Sequence, residues 1–266
     1  MILSIEQLSN QIGVGSVRMI DKAVILAAGM GRRLKPLTDH APKCLTEVHG
    51  TPILINTLKG LSSVGIRDCT IVVGYHASAI EKLMGSRFKD VELKYVYNRD
   101  FENTNDMYSL WLTAETLEQG VLLFEGDIYF SHKMLHRVLS HMESRSCYVA
   151  GDYDGRTDEV VVTTDSNLRI KSVEVLYGCG TEIVSNRFIS AGILVLQQHY
   201  AKKFSSWLSD FVREGKTDLL FDAVIAEHLN EAPLYVSRIS HHEWVEIDTI
   251  GDLEKAENTF KKPVQS

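Results

Sequence analysis

The densest chemistry in the chain lies in Leu26-Ala27-Ala28-Gly29-Met30-Gly31-Arg32-Arg33-Leu34-Lys35-Pro36-Leu37-Thr38, closed by Pro42-Lys43. Small residues and two glycines after an apolar run let the backbone approach a ligand closely and aim several N–H groups at an anion. Arg32, Arg33, Lys35 and Lys43 add positive charge. The combination suits a triphosphate. It is not the dinucleotide fingerprint, because Leu34 stands where the third glycine is needed, and it lacks the G-K-[ST] of a P-loop. A turn that merely contains glycines beside surface arginines is the plainer alternative, and the length of the pattern argues against it.

Two carboxylates stand at comparable places further on. Asp127 follows the apolar run Val121–Phe124 as Glu125-Gly126-Asp127. The carboxyl ends of strands are where open α/β sheets hold ligands, although a turn aspartate capping the next helix would look alike. Asp248 ends Trp244-Val245-Glu246-Ile247-Asp248 before a helix. There, Asp248 or Thr249 could equally be an N-cap. Asn103-Thr104-Asn105-Asp106-Met107-Tyr108-Ser109-Leu110-Trp111 reads as a capped, amphipathic helix start. His132 and His136, four apart, read as a solvated helix face, since no third metal ligand accompanies them.

The elements that must position these residues follow from periodicity. Lys22–Leu26, Asp68–Val73, Glu92–Tyr97 and Val121–Phe124 read as strands, and residues 52–64, 77–84, 105–117 and 132–142 as helices. Alternation of strands and helices predicts a mainly parallel sheet covered on both faces. After about residue 145 the pattern changes. Short strands at 148–150, 159–164, 170–175 and 190–196 precede helices at 201–214 and 219–229. Strands at 234–238 and 244–247 and a last helix at 250–260 follow. The fold class expected is therefore α/β, a Rossmann-like three-layer α/β/α sandwich with a mixed, mainly parallel sheet.

Composition sets the outer bounds. The 266 residues, 44% of them hydrophobic, suffice for one α/β domain with a sizeable core. A net charge of −7 argues against general nucleic-acid binding. Cys44, Cys69, Cys147 and Cys179 are widely spaced, as reduced core thiols would be, and point to the cytoplasm. No apolar run is long enough for a membrane span. Residues 1–20 show no signal-peptide pattern and are expected as a short helix or arm.

The gapless stretch L-A-A-G-x-G-x-R-L-x-P-L-T-x-x-x-P-K-x-L, from Leu26 to Leu45, resembles the signature of the nucleotidyltransferases that make NDP-sugars and CDP-linked head groups. The resemblance continues through Gly74-Tyr75, Asn105–Leu110, Glu125-Gly126-Asp127 and Trp244–Asp248. It is nearest to the cytidylyltransferases that act on phosphocholine or on phosphonates such as 2-aminoethylphosphonate. It implies transfer of CMP from CTP to a small phosphonate or phosphate with release of pyrophosphate. Leu26, Ala27, Ala28 and Gly29 would line base and ribose, and Gly31 would lie under the phosphates. Arg33 would grip the β- and γ-phosphates, and Lys43 would bridge the α-phosphate and the acceptor. Gly74, Tyr75, Asn105 and Ser109 would complete the nucleotide side, and Asp127 and Asp248 would hold Mg²⁺. The acceptor would meet Lys43, Asp106, Asp158, Glu159 and Asp222.

Where phosphocholine enzymes place the aromatics of a quaternary-ammonium cage, this chain has Asp158-Glu159-Val160 and Asp218-Leu219-Leu220-Phe221-Asp222. Carboxylates suit a primary ammonium better, so 2-aminoethylphosphonate is the favoured acceptor. The rival functions are a sugar-1-phosphate nucleotidylyltransferase using UTP, dTTP or GTP, and a non-catalytic nucleotide-binding relative. The domain expected spans 21–262, with a nucleotide half to about 145 and an acceptor half beyond. Its partners would be CTP and the acceptor, with a homodimer allowed and neither nucleic acid nor membrane.

Overall fold

A computed structural model describes residues 20–141, 145–178 and 180–261. The expected N-terminal arm and Cys179 lie outside the described residues. The strands are β1 (Lys22–Ala27), β2 (Glu47–Val48), β3 (Thr51–Pro52), β4 (Asp68–Val73), β5 (Arg87–Phe88), β6 (Val91–Tyr97), β7 (Val121–Glu125), β8 (Ile128–Phe130), β9 (Cys147–Asp152), β10 (Val160–Thr164), β11 (Ile170–Val175), β12 (Arg187–Leu196), β13 (Tyr235–Ile239) and β14 (Trp244–Glu246). The helices are α1 (Ile53–Ser63), α2 (Ala77–Met84), α3 (Asp106–Trp111), α4 (Ala114–Leu117), α5 (His132–Ser140), α6 (Gln198–Arg213), α7 (Phe221–Glu227) and α8 (Ile250–Thr259).

The main sheet runs β11-β10-β12-β7-β1-β4-β6-β5, with β9 on β12 and β13 on β9. Its central block β7-β1-β4-β6 is parallel throughout. β1 and β7, at the centre, are almost unbroken apolar runs because both of their faces are covered, whereas β6, near the sheet edge, alternates buried and exposed residues. Ala23, Ile25 and Ala27 of β1 join Leu54, Leu58, Ile80 and Leu135 in one core. Val24 and Leu26 join Met107, Leu110, Phe204, Leu208 and Val224 in the other. Alternate residues of one strand thus build two layers of helix contact, and the expected three-layer sandwich forms. A smaller core of Leu34, Val48, Ile53, Val245, Ile247 and Ala256 seats the glycine loop against α8.

Antiparallel β12 opens the site. Its residues 193–196 pair with β7, its residues 187–189 pair with β10, and β9 takes the opposite edge with a register shift between Ser190 and Ile193. Because β7 and β10 share one edge in succession, the sheet divides where β7 ends at Glu125.

Several elements depart from the sequence reading. The helix expected over 105–117 is two, because buried Thr113 turns its hydroxyl back onto the Leu110 carbonyl at 2.7 Å and interrupts the ladder. β12 starts three residues earlier than its apolar pattern, where Arg187–Ile189 find a partner in β10. Short β2, β3, β5 and β8 carry too few residues for periodicity to mark. His132 is not on a solvated face, since its Nε2 lies 2.9 Å from the Asn56 carbonyl of α1. Cys44, Cys69 and Cys147 are buried free thiols, and burial raises the pKa of Cys44 and of Cys147 to about 12. Among the described residues no helix is long and apolar enough to cross a membrane.

Candidate active site

A cleft of about 610 Å³ lies over the carboxyl ends of β1 and β7. Its lining includes Leu26, Ala27, Ala28, Gly29, Gly31, Arg33, Lys43, Asn105, Asp106, Ser109, Asp127, Asp158, Glu159, Asp222 and Asp248, all singled out from sequence. Gly74 and Tyr75 do not line it.

The loop owes its shape to Gly31, whose φ is 59° and where a Cβ would stand 2.9 Å from Lys43 Cβ. Thr38 Oγ1 donates to the Gly31 carbonyl at 2.8 Å, and buried Leu34 pins the single 3₁₀ turn of Arg32–Leu34. Tyr75 braces this loop from behind. Its backbone N–H donates to the Ala28 carbonyl at 3.0 Å, and its hydroxyl donates to the carbonyls of Thr38 at 3.0 Å and Asp39 at 3.2 Å. Gly74 permits the approach, since a Cβ there would stand 2.8 Å from the Ala28 carbonyl.

Strand pairing between distant segments brings the charges together. β8 pairs antiparallel with β14, Ile128 opposite Glu246, and Ile247 N–H donates to the Asp127 carbonyl at 3.1 Å. Asp127 and Asp248 therefore meet at Lys43. Lys43 Nζ donates to Asp127 Oδ2 at 2.7 Å and to Asp248 Oδ1, while Arg33 donates to the other oxygen of Asp248. Burial pulls the Lys43 ammonium towards neutrality, but the charges of Asp127 and Asp248 outweigh it and its pKa is raised above the ordinary lysine value. The cap of α8 is Thr249, which exchanges hydrogen bonds with Asp252 in a capping box, so Asp248 is left to face the cations.

Two glutamates that sequence reasoning did not select also belong here. Carboxylate oxygens of Glu125, Asp127 and Glu246 lie within 4.8 Å of one another. The signal was present: each glutamate stands two residues before a selected aspartate, Glu125 before Asp127 and Glu246 before Asp248. Asp127 Oδ1 is buried with no hydrogen-bond partner. An orphaned carboxylate oxygen in an all-oxygen donor set fits a hard divalent cation such as Mg²⁺. Burial, added to by the charge of Asp127, raises the pKa of Glu125 and of Glu246 well above the usual glutamate value.

A second trio, Asp106, Glu125 and Asp222, shares Glu125 and has the same spacing. Asp106 Oδ1 accepts from Phe221 N–H at 2.8 Å, and buried Asp222 accepts from the Tyr148 hydroxyl at 2.6 Å. Burial raises Asp222 to about 6 against that hydrogen bond, and burial raises Asp106 well above the aspartate range. Asn105 caps α3 through Asp106 N–H, and buried Ser109 accepts from Asn98 Nδ2 at 3.0 Å. On the opposite wall Glu159 is raised to about 7, chiefly by burial and against the pull of Arg156.

A glycine loop at the carboxyl ends of a parallel block, with Lys43 and Arg33 facing clustered carboxylates, defines a nucleotide-binding α/β protein of the phosphoryl-handling kind. The chain matches the MobA-like NTP transferase domain over residues 23–199, and it belongs to that family of nucleotidyltransferases. It is 29% identical over 91% of its length to the CMP-5'-(3-aminopropyl)phosphonate synthase of Streptomyces rubellomurinus, of which it spans only 39%. It is 28% identical to the 2-aminoethylphosphonate cytidylyltransferase of Lancefieldella rimae, covering 87% of this chain and 89% of that one. The solved structure of CTP:phosphocholine cytidylyltransferase from Streptococcus pneumoniae superposes with a TM-score of 0.75 at 27% identity, covering 90% and 99% of the two chains.

Proposed function

We propose that the protein is a Mg²⁺-dependent cytidylyltransferase that moves CMP from CTP to a small phosphonate or phosphate bearing an ammonium group, 2-aminoethylphosphonate foremost. The observation that carries this reading is the pair of carboxylate trios joined at Glu125. One trio contains the orphaned oxygen of Asp127 and suits a divalent cation. The other, Asp106–Glu125–Asp222, offers acceptors to a group with three N–H donors. An acceptor with its anion near Lys43 and its ammonium a short alkyl chain away would span the two. The names of the relatives support CTP as the donor.

The chemistry asked of the site is modest. An oxygen of the acceptor anion bonds to the α-phosphorus, the α–β anhydride bond breaks, and its electron pair leaves with pyrophosphate. That oxygen is already ionised near neutral pH, so no strong general base is needed. The obstacle is bringing anions together, and fixed cations remove it. In this reading Arg33 holds the β- and γ-phosphates and Lys43 bridges the α-phosphate and the acceptor. Leu26, Ala27, Ala28, Gly29 and Gly31, with Asn105 and Ser109, contact the nucleotide, while Gly74 and Tyr75 hold the loop that does so. A Mg²⁺ held by Asp127, with Glu125, Glu246 and Asp248 beside it, would neutralise phosphate charge. A non-catalytic relative would have lost Lys43, Arg33, Asp127 or Asp248, and all four converge here.

The test is pyrophosphate release with Mg²⁺, crossing four NTPs against 2-aminoethylphosphonate, phosphocholine, phosphoethanolamine and glucose 1-phosphate. Release with CTP and the aminophosphonate is expected. Release only with UTP or dTTP and the sugar phosphate would move the protein to the sugar-nucleotide branch, and release with no pair would refute the catalytic reading.

A further inference from the structure

Tyr177 is 75% exposed, yet it lines the cleft. It lies two residues past the end of β11, on the wall formed by Asp158, Glu159, Val160 and Val175. Val175 pairs with Val160 across the hairpin, and the alternation of extended chain turns Val175 and Tyr177 to the cleft while Leu176 is buried. Two hydrogen bonds bracket the residue. Leu176 N–H donates to the Glu159 carbonyl at 2.9 Å, and Gly178 N–H donates to Asp158 Oδ1 at 3.1 Å. The Tyr177 backbone is thus fixed on both sides while its ring stands in solvent at the mouth.

Asp158 is built for that bond. Its φ is 62°, a left-handed conformation that Asp and Asn adopt at less cost than alanine. Its second oxygen takes the Thr157 hydroxyl at 3.3 Å. Both oxygens are engaged within the loop.

We propose that Tyr177 is a specificity-determining residue for the acceptor, its ring lying against the ammonium end of the bound molecule, and that Asp158 is a positioning residue that holds it there. The ammonium meets the π face of Tyr177 on one side and the carboxylates of the opposite wall on the other. The ring enters the cleft from a different segment than the two stretches where phosphocholine enzymes carry their cage. The inference rests on the cationic-acceptor reading above.

The experiment measures KM for 2-aminoethylphosphonate and for CTP, and kcat, in wild type, Tyr177→Ala, Tyr177→Phe, Asp158→Ala and Asp158→Asn. Tyr177→Ala is expected to raise acceptor KM by roughly three- to tenfold, with CTP KM and kcat little changed, and Tyr177→Phe to stay near wild type. Asp158→Ala should resemble Tyr177→Ala. Asp158→Asn should restore wild-type behaviour, because asparagine keeps both the acceptor oxygen and the left-handed backbone. A raised acceptor KM in Asp158→Asn would mean that the Asp158 charge contacts the ammonium directly and would overturn its positioning role. An unchanged acceptor KM in Tyr177→Ala, with wild type active, would overturn the role of Tyr177 alone. A wild-type enzyme inactive with every cationic acceptor would remove the functional reading and this inference together.

Discussion

Removing the Lys43 ammonium tests the centre of the site most directly. In Lys43→Ala the Cβ that packs beside Gly31 stays, so the loop keeps its shape. What disappears is the cation between Asp127 and Asp248. Lys43 is 13% exposed and both carboxylates 19%, so solvent screens these pairs weakly. Breaking a buried pair costs ~3–5 kcal/mol. Arg33 still compensates Asp248 but nothing compensates Asp127, so a loss of about 3 kcal/mol in the ligand-free protein is expected, at the low end of that range. Mg²⁺ should return part of it, because a divalent cation replaces the missing charge, and the variant should gain more than wild type. Turnover should fall about a hundredfold or more, equivalent to roughly 2.7 kcal/mol of transition-state stabilisation. Thermal unfolding with and without Mg²⁺ reads the first effect, and pyrophosphate release at saturating substrates reads the second. A variant that turns over within a few-fold of wild type would remove Lys43 from the chemistry and refute the argument that fixed cations carry the rate.

Asp127→Asn should abolish Mg²⁺-dependent turnover and leave the circular dichroism spectrum and the unfolding cooperativity intact, and a fully active variant would put the metal elsewhere. Gly31→Ala forces a Cβ onto Lys43 at a φ of 59°, so nucleotide KM should rise at least about tenfold with a loss of ~1–2 kcal/mol, whereas an unaltered KM would show that the loop tolerates a different path. The raised pKa values of Asp222, about 6, and Glu159, about 7, set a pH dependence of the ligand-free protein. Between the unfolded carboxyl pKa near 4 and these folded values the native state holds the extra protons, so the stability that these two groups contribute is full below about pH 4 and is lost as pH rises towards 7. Asp222→Asn, which still accepts from the Tyr148 hydroxyl, should flatten the part of that decline near pH 6, and an unchanged slope would mean Asp222 ionises as an ordinary aspartate.

The sequence by itself determined the local geometry and most of the chemistry. Short unbroken apolar runs bounded by turn residues read as strands covered on both faces, and the fold class followed from their alternation with amphipathic helices. The glycines and cations of 26–43 marked an anion loop, because backbone freedom and charge are written in residue types. Tertiary structure decided which groups meet. β8 exists only because it pairs with β14, more than a hundred residues later, and that pairing sets Asp127 against Asp248 and Lys43. Glu125 and Glu246 looked like flanking residues until the same pairing turned them into one cluster. Tyr75 looked like a part of the cleft, but it stands outside the lining and its hydroxyl bonds to the loop behind it. Residue type and local spacing govern elements and loops, whereas convergence of charge depends on strand register between distant segments. That register is set by the packing of the whole sheet, which no local stretch of sequence contains.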